Sequence, residues 1–274
     1  MDVSINIVHY NTPRLLRQTL LGIRRAAPRL NYEVIVVDNN PKLRVREMIE
    51  AEFPEVRVVV SPRNVGFGQG MNKALDHANG RYWLVSNPDI VLKSGSLEKI
   101  VEYMDQHPDV GIVGAKLESP NGEIQHSCYR FMEPRTVFYR RLPFVNRIES
   151  VRQHLDQYLM SDWDHASIRD VDHVLGACML VRPQAIREVG NFDPNYFMYF
   201  EDQDLCRRFW ASGWRVVYNP EVNMVHYHRR ESAEGGIVKQ VLNPVTHHQI
   251  RSAFHYFQKF KGEANPRKAY ESYR

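Results

Sequence analysis

The sequence predicts an α/β protein with a mostly parallel central sheet and helices on both faces. Three observations predict it: nearly uniform apolar runs of strand length, amphipathic runs of helical spacing between them, and turn-forming polar residues closing each strand run.

Residues 3–9 are largely β-branched or apolar and open the pattern as a strand; residues 13–27 then place Leu15, Leu16, Leu20 and Ile23 at helical spacing. Residues 33–37, EVIVV, form a buried-strand run closed by the turn cluster Asp38-Asn39-Asn40-Pro41. The cycle repeats as a helix over 45–52, a strand over 56–60, a helix over 70–78 and a strand over 82–86. A helix over 95–106 and a strand over 111–116 follow. Residues 128–165 are rich in Arg, aromatics and Pro, which predicts a partly mobile segment over the site or an ordinary surface excursion. Regular structure returns with a strand over 174–181, a helix over 183–189 and the turn Gly190-Asn191-Phe192-Asp193-Pro194. An amphipathic helix marked by Leu205, Phe209 and Trp214 ends at Gly213, and a last strand over 215–218 leads to His226 and His228.

The composition of the 274 residues, 43% hydrophobic and 25% charged, is that of a soluble globular protein and excludes disordered and collagen-like classes. The net charge of +4 suits phosphate-bearing ligands or an anionic membrane surface and requires no nucleic acid. Cys128, Cys178 and Cys206 are odd in number and far apart, so neither a disulfide framework nor a thiolate zinc site is expected, and a reducing, cytoplasmic compartment is. No basic leader and no run of about 20 apolar residues is found, which predicts a soluble or peripheral protein.

In parallel sheets of this kind ligands bind beyond the carboxyl ends of the strands. Tyr10 and Asn11, Asp38 and Asn39, Arg63 and Asn64, and Asn87 with Asp89 occupy those ends. Asn87-Pro88-Asp89 is a turn by composition, yet it closes a fully apolar strand at the ligand edge and aims Asp89 into the crevice. The acids of Glu201-Asp202-Gln203-Asp204 suit the first turn of a helix. Preceded by the apolar Tyr196-Phe197-Met198-Tyr199-Phe200, they equally suit a carboxylate at the wall of an apolar pocket, where burial favours general-base work. His226 and His228, two apart, project from one face of an extended strand. Gly66, Gly68 and Gly70 offer an alternative, the phosphate loop of an NAD-dependent oxidoreductase with Asp89 as its ribose acid, although Met71 stands where the third glycine of that motif belongs.

Taken in order, these stretches resemble family 2 glycosyltransferases of the GT-A fold, a Rossmann-like architecture, and within them the bacterial rhamnosyltransferase-like branch. The resemblance runs through Ile7-Val8-His9-Tyr10-Asn11, Val36-Val37-Asp38-Asn39-Asn40, Asn64-Val65-Gly66-Phe67-Gly68 with Gly70 and Asn72, and Ser86-Asn87-Pro88-Asp89. It continues through Gly176-Ala177-Cys178-Met179-Leu180, Gly190-Asn191-Phe192-Asp193, the run 197–205 and Val225-His226. It implies a nucleotide-sugar donor, dTDP-rhamnose or another, bound by Tyr10, Asn11, Asp38, Arg63, Gly66, Asn72 and Asn87. Asp89 and His226 would hold a divalent metal, Mn²⁺ or Mg²⁺, with His228 the alternative ligand and Asn87 in place of a first acid. Asp202, with Glu201 as the second candidate, would be the base of an inverting transfer. Arg229, Arg230 and Glu231 stand where the family often has a Gly- or Ser-rich stretch.

The expected organisation is one GT-A domain over 1–230, its donor half 1–110 and its acceptor half 111–230, with a helical extension over 231–274. In that extension Ile250, Ala253, Phe254, Phe257 and Phe260 fall on helical spacing between Arg251, Lys259 and Lys261. Such a helix lies on a membrane surface, or packs on the domain or on a second subunit as in a homodimer. With Arg140 and Arg141 it is compatible with a polyprenyl-diphosphate-linked acceptor as well as a plain saccharide. A non-catalytic sugar-nucleotide-binding protein is the remaining alternative.

Overall fold

The computed structural model describes residues 1–142, 145–227 and 243–272. His228 and Arg229 to Glu231 lie outside the described residues.

The amino-terminal half alternates strand and helix as the sequence predicts: β1 (Val3–His9), α1 (Pro13–Ala26), β2 (Tyr32–Asp38), α2 (Val45–Glu52), β3 (Arg57–Val60), α3 (Phe67–Leu75), β4 (Tyr82–Ser86), β5 (Ile90–Leu92), α4 (Ser96–Gln106) and β6 (Val110–Glu118). Then come β7 (Ile124–Gln125), β8 (Cys128–Tyr129), α5 (Pro134–Tyr139), α6 (Glu149–Leu159), β9 (Arg169–Asp170), β10 (His173–Val174) and β11 (Cys178–Val181). The chain continues through α7 (Pro183–Val189), α8 (Glu201–Ala211), β12 (Arg215–His226), α9 (Pro244–Lys259) and α10 (Pro266–Ser272).

The main sheet runs β3-β2-β1-β4-β11-β6-β12-β5. Its β3, β2, β1 and β4 are parallel, as are β6 and β12, while β11 and β5 run antiparallel to their neighbours. The all-buried β1 follows from this: covered on both faces, it has no solvent side to alternate toward. One face packs Leu16, Leu20 and Ile23 of α1, Ile49 of α2 and Ile100 and Met104 of α4. The other packs Met71 and Leu75 of α3, Ile186 of α7, and Leu205, Phe209 and Trp210 of α8. Each such side chain contributes about 1.5–3 kcal/mol on burial.

Three expectations are corrected. Residues 128–165 are not a plain excursion but carry α5 and α6, the latter burying Val151, His154 and Tyr158 at helical spacing. The predicted strand over 174–181 is interrupted at Leu175, Gly176 and Ala177, which turn the chain between β10 and β11. The last strand extends to His226, passing Pro220 by a register shift between Asn219 and Asn223.

Candidate active site

The carboxyl ends of β3, β2, β1 and β4 lie side by side in that order, and the ends of β1, β2 and β3 are tied together. Asn39 N donates to His9 O at 2.9 Å, and Ser61 N donates to Asp38 O at 2.9 Å. Asp38 is buried with Oδ1 accepting from Asn40 N at 3.0 Å and 3.3 Å from His9 Nδ1. Thr12 N donates to His9 Nε2 at 3.1 Å, so the ring proton sits on Nδ1, toward Asp38. Burial lowers the His9 pKa against the pull of Asp38. Tyr10 is exposed beside this pair, and Asn11 accepts from Asn40 Nδ2 at 2.7 Å. Arg63 is exposed at the same rim.

The Asn-Pro-Asp turn joins β4 to β5. Thr19 Oγ1 of α1 donates to Pro88 O at 2.8 Å, and Tyr227 N donates to Asp89 O at 3.0 Å, so both sides of the turn are pinned. Asn87 N donates to Ala177 O at 2.9 Å. The antiparallel register places His226 opposite Ile90, bringing His226 Nε2 to 3.5 Å from Asp89 Oδ1. Gln125 grips the histidine twice: its Oε1 lies 2.8 Å from Nδ1, and its Nε2 donates to His226 O at 3.0 Å. With the proton on Nδ1, the Nε2 lone pair faces a buried Asp89 oxygen that accepts no hydrogen bond. Two electron-rich atoms pointed at one spot suit a cation between them, and a nitrogen beside the carboxylate tilts the preference toward Mn²⁺ over Mg²⁺. Among the described residues no cluster of three or more His, Cys, Asp or Glu joins them.

The acidic run starts α8, and the three acids differ sharply. Tyr199 and Phe200 both adopt left-handed backbone, φ 70° and 69°, a conformation that costs bulky residues about 1–3 kcal/mol each. The cluster of Tyr196, Phe200, Ala253 and Tyr256 holds them there. Glu201 is buried, its Oε2 without a hydrogen-bond partner. Burial first, then the charges of Asp202 and Asp204, push its carboxyl up to about 8. Asp202 is half-buried and accepts from Gly176 N at 2.9 Å and Gln203 N at 2.8 Å. Asp204 is fully buried between Lys259 Nζ at 2.6 Å and Arg208 Nε at 2.7 Å, which makes it a structural anchor.

Over residues 2–242 the sequence matches the profile of one known family. The chain belongs to glycosyltransferase like family 2. Its fold is GT-A, and it is a glycosyltransferase. It is 26% identical over 241 residues to an N-acetylglucosaminyl-diphospho-decaprenol L-rhamnosyltransferase of Mycobacterium tuberculosis, covering 80% of this chain and 74% of that one. It is 27% identical over 208 residues to the rhamnosyltransferase WbbL of Escherichia coli, covering 72% and 73%. The crystal structure of GalNAc-T7 with UDP, GalNAc and Mn²⁺ superimposes with a TM-score of 0.68 at 14% identity, over 96% of this chain. The chain spans 48% of that crystallised chain. Family membership displaces the oxidoreductase alternative.

The glycine loop of the transferase has a protein-side reason for its composition. Gly66 has φ +85°, and a Cβ there would lie 2.1 Å from Phe197 O, while Phe67 N donates to that same carbonyl at 2.9 Å. A Cβ on Gly68 would lie 3.6 Å from that of Glu201. Glu201 therefore packs against the glycine loop, while Asp202 packs against Gly176. Asn72, expected to touch the donor, also braces the turn before α8: Nδ2 donates to Phe192 O at 2.8 Å and Oδ1 accepts from Phe192 N at 3.0 Å. Sequence patterns missed Gln125, which sits in no motif, and read Lys259 only as a basic flank of the last long helix. Lys259 reaches Asp193 at 2.7 Å as well as Asp204, and His255 lies 3.3 Å from Asp193. Burial alone would raise the Asp193 pKa, but Lys259, Asn195 N and His255 outweigh it and hold it well below the ordinary range.

Proposed function

We propose that the transferase is metal-dependent and inverting, moving rhamnose from dTDP-rhamnose to a saccharide or polyprenyl-diphosphate-linked saccharide in cell-surface polysaccharide synthesis. The observation that carries this is the Asp89–His226 pair, whose turn is joined through Asn87 N to Ala177 O, next to the Gly176 N–H that holds Asp202. Both the M. tuberculosis and E. coli relatives are rhamnosyltransferases, and the M. tuberculosis one acts on N-acetylglucosaminyl-diphospho-decaprenol, which supports the rhamnosyl donor and the lipid-linked acceptor. Tyr10, Asn11 and Asp38 form the nucleotide floor, with Arg63 and Asn87 beside the diphosphate and Gly66 at the closest approach of backbone. The donor half is 1–110, the acceptor half 111–230, and the helices beyond 231 complete the acceptor side.

Asp202 takes the proton of the acceptor hydroxyl as that oxygen attacks the anomeric carbon. The bond from carbon to the nucleoside diphosphate breaks on the opposite face, with its electron pair leaving on the diphosphate, so configuration inverts without a covalent intermediate. Asp89 and His226 would hold the divalent ion, which would supply Lewis-acid stabilisation of the leaving diphosphate. Glu201, buried beside the glycine loop, is the second candidate for proton transfer. No helix among the described residues is long and apolar enough to cross a membrane, and the proposed workplace is the cytoplasmic face.

Hydrolysis and transfer assays across UDP-, GDP- and dTDP-sugars with Mn²⁺ or Mg²⁺ test the donor. Asp202→Asn is expected to lower turnover roughly 10²–10⁴-fold with donor affinity within a few-fold of wild type. Turnover retained in that variant removes Asp202 as the base, and nucleotide binding without turnover in the wild type identifies a non-catalytic binding protein.

A further inference from the structure

Among the described residues, Arg140 and Arg141 pair with no carboxylate. Arg141 is half-buried where α5 meets α9, its guanidinium donating to Gln249 Oε1 at 2.7 Å. Burial lowers its pKa, and no acid among the described residues offsets the effect. Arg140 is exposed, with Nη1 3.4 Å from Tyr158 Oη and the guanidinium carbon 5.5 Å from that ring's centroid. A partly buried cation without a counter-ion is costly, and an arriving anion relieves the cost.

These arginines connect to the proposed base through a wall of rings. Tyr158 stacks on Tyr129 at 5.2 Å, and Tyr129 stacks on His173 at 5.2 Å. His173 lies three residues before Gly176, whose N–H holds Asp202. The charges of both Arg140 and Asp202 reach the buried Tyr158 and His173. The stacked rings thus link the arginines to the proposed base as one packed unit.

The surroundings of the arginines are apolar and exposed. On α5 and just after it, Phe138 is 66% exposed and Leu142 44%; on α9, Phe254 is 66% exposed and Ile250 53%. The remaining apolar face of α9 is covered by the domain, through Ala253 and Tyr256. Phosphate oxygens match the planar guanidinium fork, and adjacent apolar side chains match a hydrocarbon.

We propose that Arg140 and Arg141 bind the diphosphate of a lipid-linked acceptor, with Phe138, Leu142, Ile250 and Phe254 receiving the first units of its prenyl chain. The site rests on the transferase function proposed above and gives the acceptor its entry edge.

The test is calorimetric titration of wild type and R140Q/R141Q, each first saturated with dTDP and Mn²⁺ so that the donor's diphosphate position is filled. The probes are farnesyl diphosphate, inorganic diphosphate and farnesol. Wild type is expected to bind farnesyl diphosphate more tightly than either part alone, and R140Q/R141Q to weaken it roughly tenfold or more. F138S/F254S is expected to weaken farnesyl diphosphate and leave inorganic diphosphate unchanged. Equal affinity in R140Q/R141Q, or a wild type that binds dTDP and not farnesyl diphosphate, overturns the acceptor site alone. Inorganic diphosphate binding as tightly as the farnesyl compound overturns the prenyl contact. A wild type that binds none of dTDP, UDP or GDP overturns the transferase function and this site with it.

Discussion

Glu201→Gln isolates one buried charge. In the unfolded chain this carboxyl ionises near 4.5; in the folded protein burial and the neighbouring acids push it up to about 8. Between those pH values the folded state holds a proton that the unfolded state has lost. The stability it confers is therefore complete below about 4.5 and drains away as pH rises to about 8. At about 1.4 kcal/mol for each pH unit, the whole interval amounts to something on the order of 5 kcal/mol. Glutamine has no proton to lose, so the expected signature is a divergence in slope. Urea unfolding of the metal-free, donor-free protein between pH 5 and 9 should show wild type losing several kcal/mol more than E201Q. Parallel pH profiles would refute the claim that Glu201 is buried without a counter-charge, and with it the division of labour between Glu201 and Asp202.

Lys259→Met removes the cation shared by Asp193 and Asp204; with Arg208 still on Asp204, thermal or urea unfolding should report a loss of about 2–3 kcal/mol. Gly66→Ala forces a Cβ onto Phe197 O at a left-handed position, and should cost about 2 kcal/mol or more, read by denaturation, together with a fall in turnover. Asp89→Ala should abolish the Mn²⁺ dependence of nucleotide binding in titration calorimetry while shifting the melting temperature by only a few degrees, since Asp89 Oδ1 supports no hydrogen bond in the protein.

Much of the amino-terminal half was legible because its signals are local. The runs at β1, β2 and β4 are mostly apolar, and α2, β4 and α7 begin and end where periodicity and proline place them. α3 starts at Phe67, three residues before the predicted 70, because Gly66 turns the chain through a left-handed conformation that the glycine count alone does not locate. α6 was obscured because two of its three buried residues are His154 and Tyr158, which composition assigns to the surface. The length of β12 was obscured by Asn219-Pro220, which looks like a terminator and is accommodated by a bulge. At the site, Asp89, His226 and Asp202 stand in recognisable stretches. Their supports, Gln125, Thr19 and Gly176, act through pairings between segments distant in sequence, which no window of residues contains. The carboxyl-terminal helix was visible as a periodic aromatic run, but its division into a covered side and a bare one depends on where Tyr196 and Phe200 sit.

The shared lysine also imposes an order on biosynthesis. Asp193 and Asp204 leave the ribosome some fifty residues or more before Lys259, and the aromatic cover from Ala253 and Tyr256 is equally late. A nascent chain that has completed its sheet still lacks the groups that fix the strained entry to α8. The acids are thus set in place only when the last long helix folds back on them, so a stalled or clipped chain is left with a formed sheet and a catalytic edge still short of its lysine.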